Sequence, residues 1–280
     1  MLSVATPLPF ENIPPRGAES AIVVEVPHAG LWMDAESMAY TVCGARHLAR
    51  DADLYVDQLV RPATRHGAHL LVARTSRYLC DLNRGPDDLD PRAVANARGR
   101  ESPHGLIWHR TTSGEPVLSG PLPAREHERR VSAYYHPYHA ALAGLLQRKL
   151  DSFGFAILIA AHSMPSSGRD AQGNETPRAD IVPGTRGRTS AASTVIDIVE
   201  ATALAHELSV RHDNPYRGGF TTTQYGRPRR NVHAVQIEVA RRLYMDESSL
   251  AARPEGVARL AAYYDDVLGR LAAVTASQLV

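Results

Sequence analysis

The sequence predicts an α/β fold, with a central mixed, mostly parallel sheet and helices on both faces. Two observations carry this. Four short apolar, β-branched runs are bounded by turn residues, and between them lie longer stretches with apolar side chains at three- and four-residue spacing. Alternation of these patterns marks strands buried on both faces and joined by helices that pack over them. With 280 residues and 44% hydrophobic side chains, the chain has enough apolar material for one large core, so a single domain over residues 1–280 is expected.

The first strand is Ala21–Pro27, closed by a proline that has no N–H for a further ladder bond and followed at once by His28. A helical pattern covers Ala45–His66, and His69–Arg74 forms the second strand. Helix Arg129–Asp151 leads to the third strand, Ala156–Ala161, which runs directly into His162. Helix Ala191–Ser209, strand Ala234–Val239 and helix Glu247–Leu271 complete the series. Two stretches, Gly85–Arg125 and Ser163–Ser190, are rich in Pro, Gly and charge and read as long surface loops. Loops of that length in a compact domain border binding sites, and ligands of such sheets collect beyond the carboxyl ends of the strands.

Composition excludes several classes of function. Lys+Arg 31 against Asp+Glu 30 leaves a net charge of +1, without the basic excess of a nucleic-acid-binding or membrane-surface protein. The longest apolar run, Phe155–Ala161, is far below the roughly 20 residues that span a bilayer, and the N-terminus has no signal-peptide pattern, so a cytoplasmic protein is expected. Cys43 and Cys80 lack zinc-site spacing and read as small buried residues. No segment specifies an oligomeric state.

Polar residues just past the strands carry the chemistry. His28, His162 and either Asp51 or Asp53 could supply two imidazoles and a carboxylate, the ligand set of catalytic zinc hydrolases. The alternative is hydrogen-bonded histidines at strand ends and aspartates capping a helix. Arg77, Asn83 and Arg84 follow the second strand, where an arginine fork suits a substrate carboxylate, or where Asp81 forms a structural ion pair. Glu238 alternates onto the same side as Gln236 in an apolar strand, as a general base or as partner of Arg241 or Arg242. His136 and His139, three residues apart, are expected to be structural, with Pro137 in the first turn of a helix.

Several segments stand in order along the chain: Val-Pro-His-Ala-Gly at 26–30, Asp-Ala-Asp-Leu-Tyr-Val-Asp at 51–57, Ser-Arg-Tyr-Leu-Cys-Asp-Leu-Asn-Arg at 76–84, Tyr-His-Pro-Tyr-His at 135–139, Ala-His-Ser-Met-Pro at 161–165, Asp-Ile-Val-Pro-Gly at 180–184, and the Gly-Gly-Phe-Thr-Thr-Thr-Gln-Tyr-Gly-Arg-Pro segment at 218–228 running on to Glu238. Taken together they resemble the N-formylglutamate amidohydrolase family. The resemblance implies a phosphorylase/hydrolase-like fold related to the zinc carboxypeptidases and one Zn²⁺ per chain. It implies His28, His162 and Asp53 as ligands and Glu238 as general base, with Asn83 and Arg84 holding a carboxylate and Arg77 and Tyr225 completing the substrate site. The relatives' His-x-x-Glu pattern is absent, since Leu31 stands three residues after His28, so Asp51 remains a rival to Asp53. Thr223 stands where some relatives carry Arg, which leaves Arg217 or Arg227 to hold a second carboxylate. The implied reaction is zinc-dependent hydrolysis of N-formyl-L-glutamate to L-glutamate and formate. Another N-acylamino acid or short peptide is the alternative substrate, and a non-catalytic binding protein for acidic metabolites the alternative class.

Overall fold

A computed structural model describes residues 8–96, 99–102, 104–169 and 172–279. At its centre six strands form one sheet: β1 Phe10–Ile13, β2 Ile22–Val26, β3 His69–Ala73, β4 Ala156–Met164, β5 Ile181–Gly184 and β6 Val232–Ala240. They lie in the order β1–β3–β2–β4–β6–β5, with the inner four parallel and both edges antiparallel. The sheet is therefore mixed and mostly parallel, as the sequence predicts.

The four anticipated strands are the inner four, because only strands buried on both faces read as continuous apolar runs. The edges were not anticipated. β1 is short and half polar, and β5 falls in the stretch read as a loop, where Pro183 is tolerated because the strand lies at an edge.

On one face, Val24, Val26, Ile157, Ile159, Val235 and Ile237 pack against helices α3 (Ser193–Ala205) and α5 (Pro254–Ala272). On the other, Val23, Leu71, Leu158 and Ala234 meet helix α2 (His136–Phe153). Each fully buried Ile, Leu or Val contributes roughly 1.5–3 kcal/mol. α2 ends where Gly154 adopts φ 77, a left-handed C-terminal cap that costs glycine no Cβ clash. α5 starts at Pro254 and not at Glu247, with the proline in the first turn where its missing N–H has no intrahelical role.

The largest departure is the 45–66 stretch. Helix α1 (Ala45–Asp51) stops at an extended Ala52, and Tyr55 is left-handed at φ 66 before a short turn at Val56–Leu59 and a 3-10 turn at Arg61–His66. At the break the Asp53 N–H donates to His28 O at 2.9 Å, and the Asp53 carboxylate is drawn into a buried polar cluster that a continuous helix could not serve. The Ser163–Ser190 stretch likewise is not all loop, holding a small ribbon of Ser167–Arg169 with Glu175–Pro177 as well as β5. Among the described residues no helix is long and apolar enough to cross a membrane.

Candidate active site

β2 is flanked by β3 on one side and β4 on the other, so chain order diverges at their carboxyl ends and a crevice opens there. A cleft of about 580 Å³ fills it, a size suited to a small molecule. His28, Asp53, His162 and Glu238 line it. Both long irregular stretches border it as expected, one through His104 and Trp108, the other through Pro165 and Arg178.

His28 stands just past β2, where the backbone passes so close to β3 that a Cβ on Gly30 would sit 2.2 Å from the Arg74 carbonyl carbon. Its Nε2–H donates to Asp81 Oδ1 at 2.8 Å, so its Nδ1 faces Asp53 Oδ2 at 3.5 Å. His162, near the end of β4, brings its Nδ1 to 3.1 Å from the same oxygen. The other Asp53 oxygen is held by Ser163 Oγ at 3.1 Å and Arg241 Nη2 at 3.2 Å. Burial would raise the Asp53 carboxyl, but hydrogen bonds and charge from His162 and His28 overcome it and hold its pKa well below the usual range. Burial and Arg77 oppose protonation of His28, yet the Asp81 and Asp53 carboxylates outweigh them and raise its pKa.

One ligand atom from each of His28, Asp53 and His162 lies within 4.8 Å of the others, all three residues being buried. Two imidazoles and one carboxylate fit Zn²⁺. In the neutral ring, with the His28 proton on Nε2 toward Asp81, an electron-rich nitrogen faces an electron-rich oxygen, an arrangement that a cation between them would satisfy. The carboxylate behind His28 is also the partner that orients metal-bound histidines.

Asp51 has other commitments. Its carboxylate accepts hydrogen bonds from Tyr78 OH, from Thr112 N at 2.9 Å and from Thr112 Oγ1, and so ties the 85–125 stretch down beside the cleft. The carboxylate that gathers with the histidines is Asp53.

Glu238 lies in β6 directly opposite His162 in β4. It pairs with neither neighbouring arginine, because Arg241 turns to Asp53 and Arg242 to Asp180 at 2.6 Å. Burial, reinforced by the Asp53 charge, raises its pKa against the opposing pull of His162, Gln236 and Arg241. Gln236 Nε2 donates to Glu238 Oε1 at 2.7 Å.

The candidate substrate-binding residues separate by what they already hold. Arg77 lines the cleft but is fixed to Asp81 Oδ2 at 2.8 Å and to Asp51 O at 3.0 Å, with its guanidinium over the Trp108 ring. The Asn83 amide is engaged at both ends, accepting from Thr221 N at 3.0 Å and donating to Gln236 Oε1 at 3.1 Å, with Nδ2 also 3.3 Å from His162 Nε2. Arg84 and Arg217 line the cleft and form no ion pair among the described residues. Tyr225 and Arg227 stay outside the lining. Tyr225 OH donates to His139 Nδ1 at 3.0 Å, and the exposed Arg227 binds Gln224 O at 3.0 Å.

His136 and His139 do not face one another around a metal. His139 Nε2–H donates to Leu82 O at 3.0 Å and so straps the segment before Asn83 to helix α4 (Phe220–Tyr225) through Tyr225. The cleft also takes in His104, Trp108, Arg178 and Arg241, which the sequence does not mark: three lie in irregular stretches without periodicity, and Arg241 reads only as an alternative partner of Glu238. Gln236 left a signal, its alternation onto the Glu238 side. Of the two cysteines, Cys80 is buried and Cys43 half-buried, both as free thiols.

The N-formylglutamate amidohydrolase family model matches residues 20–245. N-formylglutamate deformylases of Pseudomonas putida and Pseudomonas aeruginosa are 32% and 33% identical over 234 and 231 residues, covering 81% of this chain and 82% and 83% of their own. The crystal structure of N-formylglutamate amidohydrolase from Ralstonia eutropha JMP134 matches with a TM-score of 0.87 at 30% identity, over 94% of this chain and 97% of that one.

Proposed function

The chain belongs to the N-formylglutamate amidohydrolase family and hydrolyses the N-formyl amide of N-formylglutamate, and we propose that it does so with one Zn²⁺ held by His28, Asp53 and His162 and with Glu238 as general base. The observation that carries this is the convergence of the three buried ligand atoms on the wall of the cleft that Glu238 also lines. When bound, the ion supplies Lewis-acid polarisation of the formyl carbonyl and makes a water molecule more acidic. Glu238 accepts the proton of the attacking water as the C–O bond forms and returns it to the amide nitrogen as the C–N bond breaks, giving formate and glutamate. Its raised pKa suits both halves of that exchange.

Three guanidiniums on the cleft form no ion pair among the described residues; Arg178 is held by Pro165 O at 3.1 Å and Tyr216 OH at 3.3 Å, and the other two match a substrate with two carboxylates. Arg84 takes the backbone carboxylate, and Arg217, which lines the cleft where Arg227 does not, takes the side-chain carboxylate. Arg77 and Asn83 act through what they already hold. Arg77 anchors Asp81 behind His28, and Asn83 fixes the segment that presents Arg84.

Steady-state formate release from N-formyl derivatives of glutamate, glutamine, methionine and alanine tests the assignment. The glutamate derivative should have the highest kcat/KM, and equal rates on all four would rule out a site built for a second carboxylate.

A further inference from the structure

Among the described residues Gln236 hydrogen-bonds to neither a residue of the metal triad nor a substrate-binding guanidinium, yet its side-chain amide is held at both ends. It is buried in β6, two residues before Glu238 on the same side of the strand. Its Oε1 accepts two hydrogen bonds, from Gly219 N at 2.8 Å and from Asn83 Nδ2 at 3.1 Å. Those two donors fix which end of the amide is oxygen. The Asn83 amide is itself oriented, because its Oδ1 accepts from both Thr221 N and Thr221 Oγ1. Nε2 of Gln236 is thereby committed as a donor, and it reaches Glu238 Oε1 at 2.7 Å.

Gly219 is required for this approach. A Cβ there would lie 2.4 Å from Asn83 Nδ2, so only glycine lets its N–H reach Gln236 beside that side chain. The Gly-Gly segment and the Asn83 segment meet on one amide, and that amide holds one oxygen of Glu238. Among the described residues the other oxygen, Oε2, accepts no hydrogen bond, and Glu238 lines the cleft.

We propose that Gln236 is a positioning residue for Glu238: its oriented amide pins Oε1 and leaves Oε2 as the atom that exchanges the proton with the cleft. This rests on Glu238 being the base. Oε2 takes the proton released as water adds to the formyl carbon and hands it to the nitrogen as the C–N bond breaks, so the carboxylate ends each turnover as it began. Without the pin, the carboxylate can rotate and its oxygens exchange places, and a misplacement of about 1 Å at a reacting group is enough to cost on the order of a hundredfold.

The test compares Gln236→Met, Gln236→Glu, Glu238→Gln and the double variant Gln236→Met with Glu238→Gln, reading kcat, KM, metal content and melting temperature. Gln236→Met removes both functions of the amide. Gln236→Glu keeps the acceptor used by Gly219 and Asn83 and removes the hydrogen donated to Glu238, and is assayed on the alkaline side, where facing carboxylates do not share a proton. Each should lower kcat roughly tenfold to a hundredfold with KM and metal content unchanged. In the double variant the Gln236→Met loss should vanish, because Gln236 acts through Glu238. Wild-type kcat in either single Gln236 variant, or a loss that multiplies with that of Glu238→Gln, overturns the proposal while leaving Glu238 as the base. Wild-type kcat in Glu238→Gln alone removes the base itself, and the proposal with it.

Discussion

Glu238 and His162 are paired residues of adjacent parallel strands, β6 and β4, so the distance between the proposed base and a proposed metal ligand is set by sheet register. A slip of β6 by one residue would turn Glu238 to the opposite face of the sheet, where Ile237 packs into the core, and away from His162. Placement by a central strand pair gives the site a rigidity that loops lack.

Replacing Glu238 by Gln keeps the shape of the side chain and removes its basicity. Metal content and fold should be retained while kcat drops by at least about a hundredfold, the lower end for positioned acid–base catalysis. Single-turnover formate release together with elemental analysis checks both halves.

The two aspartates near the triad should behave differently. Asp53→Ala should lose the metal, because its Oδ2 is the oxygen that faces both histidines. Asp51→Ala should keep the metal and free the Thr112 segment, visible as faster hydrogen exchange around Thr112. Equal metal loss in the two variants would argue against Asp53 as the ligand.

Arg84 and Arg217 should separate by substrate. Truncating one partner of a shielded charge pair costs about 2–5 kcal/mol, so Arg84→Ala should lower kcat/KM for N-formylglutamate by roughly thirty- to several-thousand-fold. Arg217→Ala should do most of its damage on the glutamate derivative and little on that of alanine, which has no second carboxylate. A kcat/KM comparison across the two substrates distinguishes the arginines.

His139 gives a pH dependence of stability. Burial, partly offset by the Leu82 carbonyl that accepts its N–H, lowers its pKa to about 4, against about 6.5 in the unfolded chain. Between those values the unfolded chain binds a proton that the folded chain refuses. The contribution is therefore complete above about pH 6.5 and is lost as the pH falls to 4 and below, by roughly 3 kcal/mol. His139→Gln should melt below the wild type at neutral pH, and the gap in Tm should narrow steadily on acidification. A gap independent of pH would contradict a neutral, half-buried imidazole.

What the sequence revealed follows from how locally each feature is specified. β2, β3, β4 and β6 are legible because Ile, Val and Leu buried on both faces leave no polar alternation to obscure them. His28 and His162 are legible because they follow those runs directly. Spacing alone leaves Asp53 and Asp51 as rivals and only the resemblance favours Asp53, since both belong to one short segment and what separates them is the His28 carbonyl, the Ser163 hydroxyl and the Arg241 guanidinium, all distant in the chain. Edge strands β1 and β5 escaped for a similar reason, because pairing with β3 and β6 makes them strands and their own composition does not. Arg217 and Arg227 were indistinguishable by type and spacing, and only the fold turns one to the cleft and the other to solvent.

The central claim, that one metal ion held by His28, Asp53 and His162 powers hydrolysis of N-formylglutamate, is tested most directly by metal titration. Protein stripped by a chelator is titrated with Zn²⁺ while formate release from N-formyl-L-glutamate is followed, with Asp53→Ala in parallel. Activity should rise linearly from near zero and saturate at one equivalent per chain, and the variant should show no such rise. Full turnover in stripped protein, or an identical titration curve for Asp53→Ala, would contradict the account.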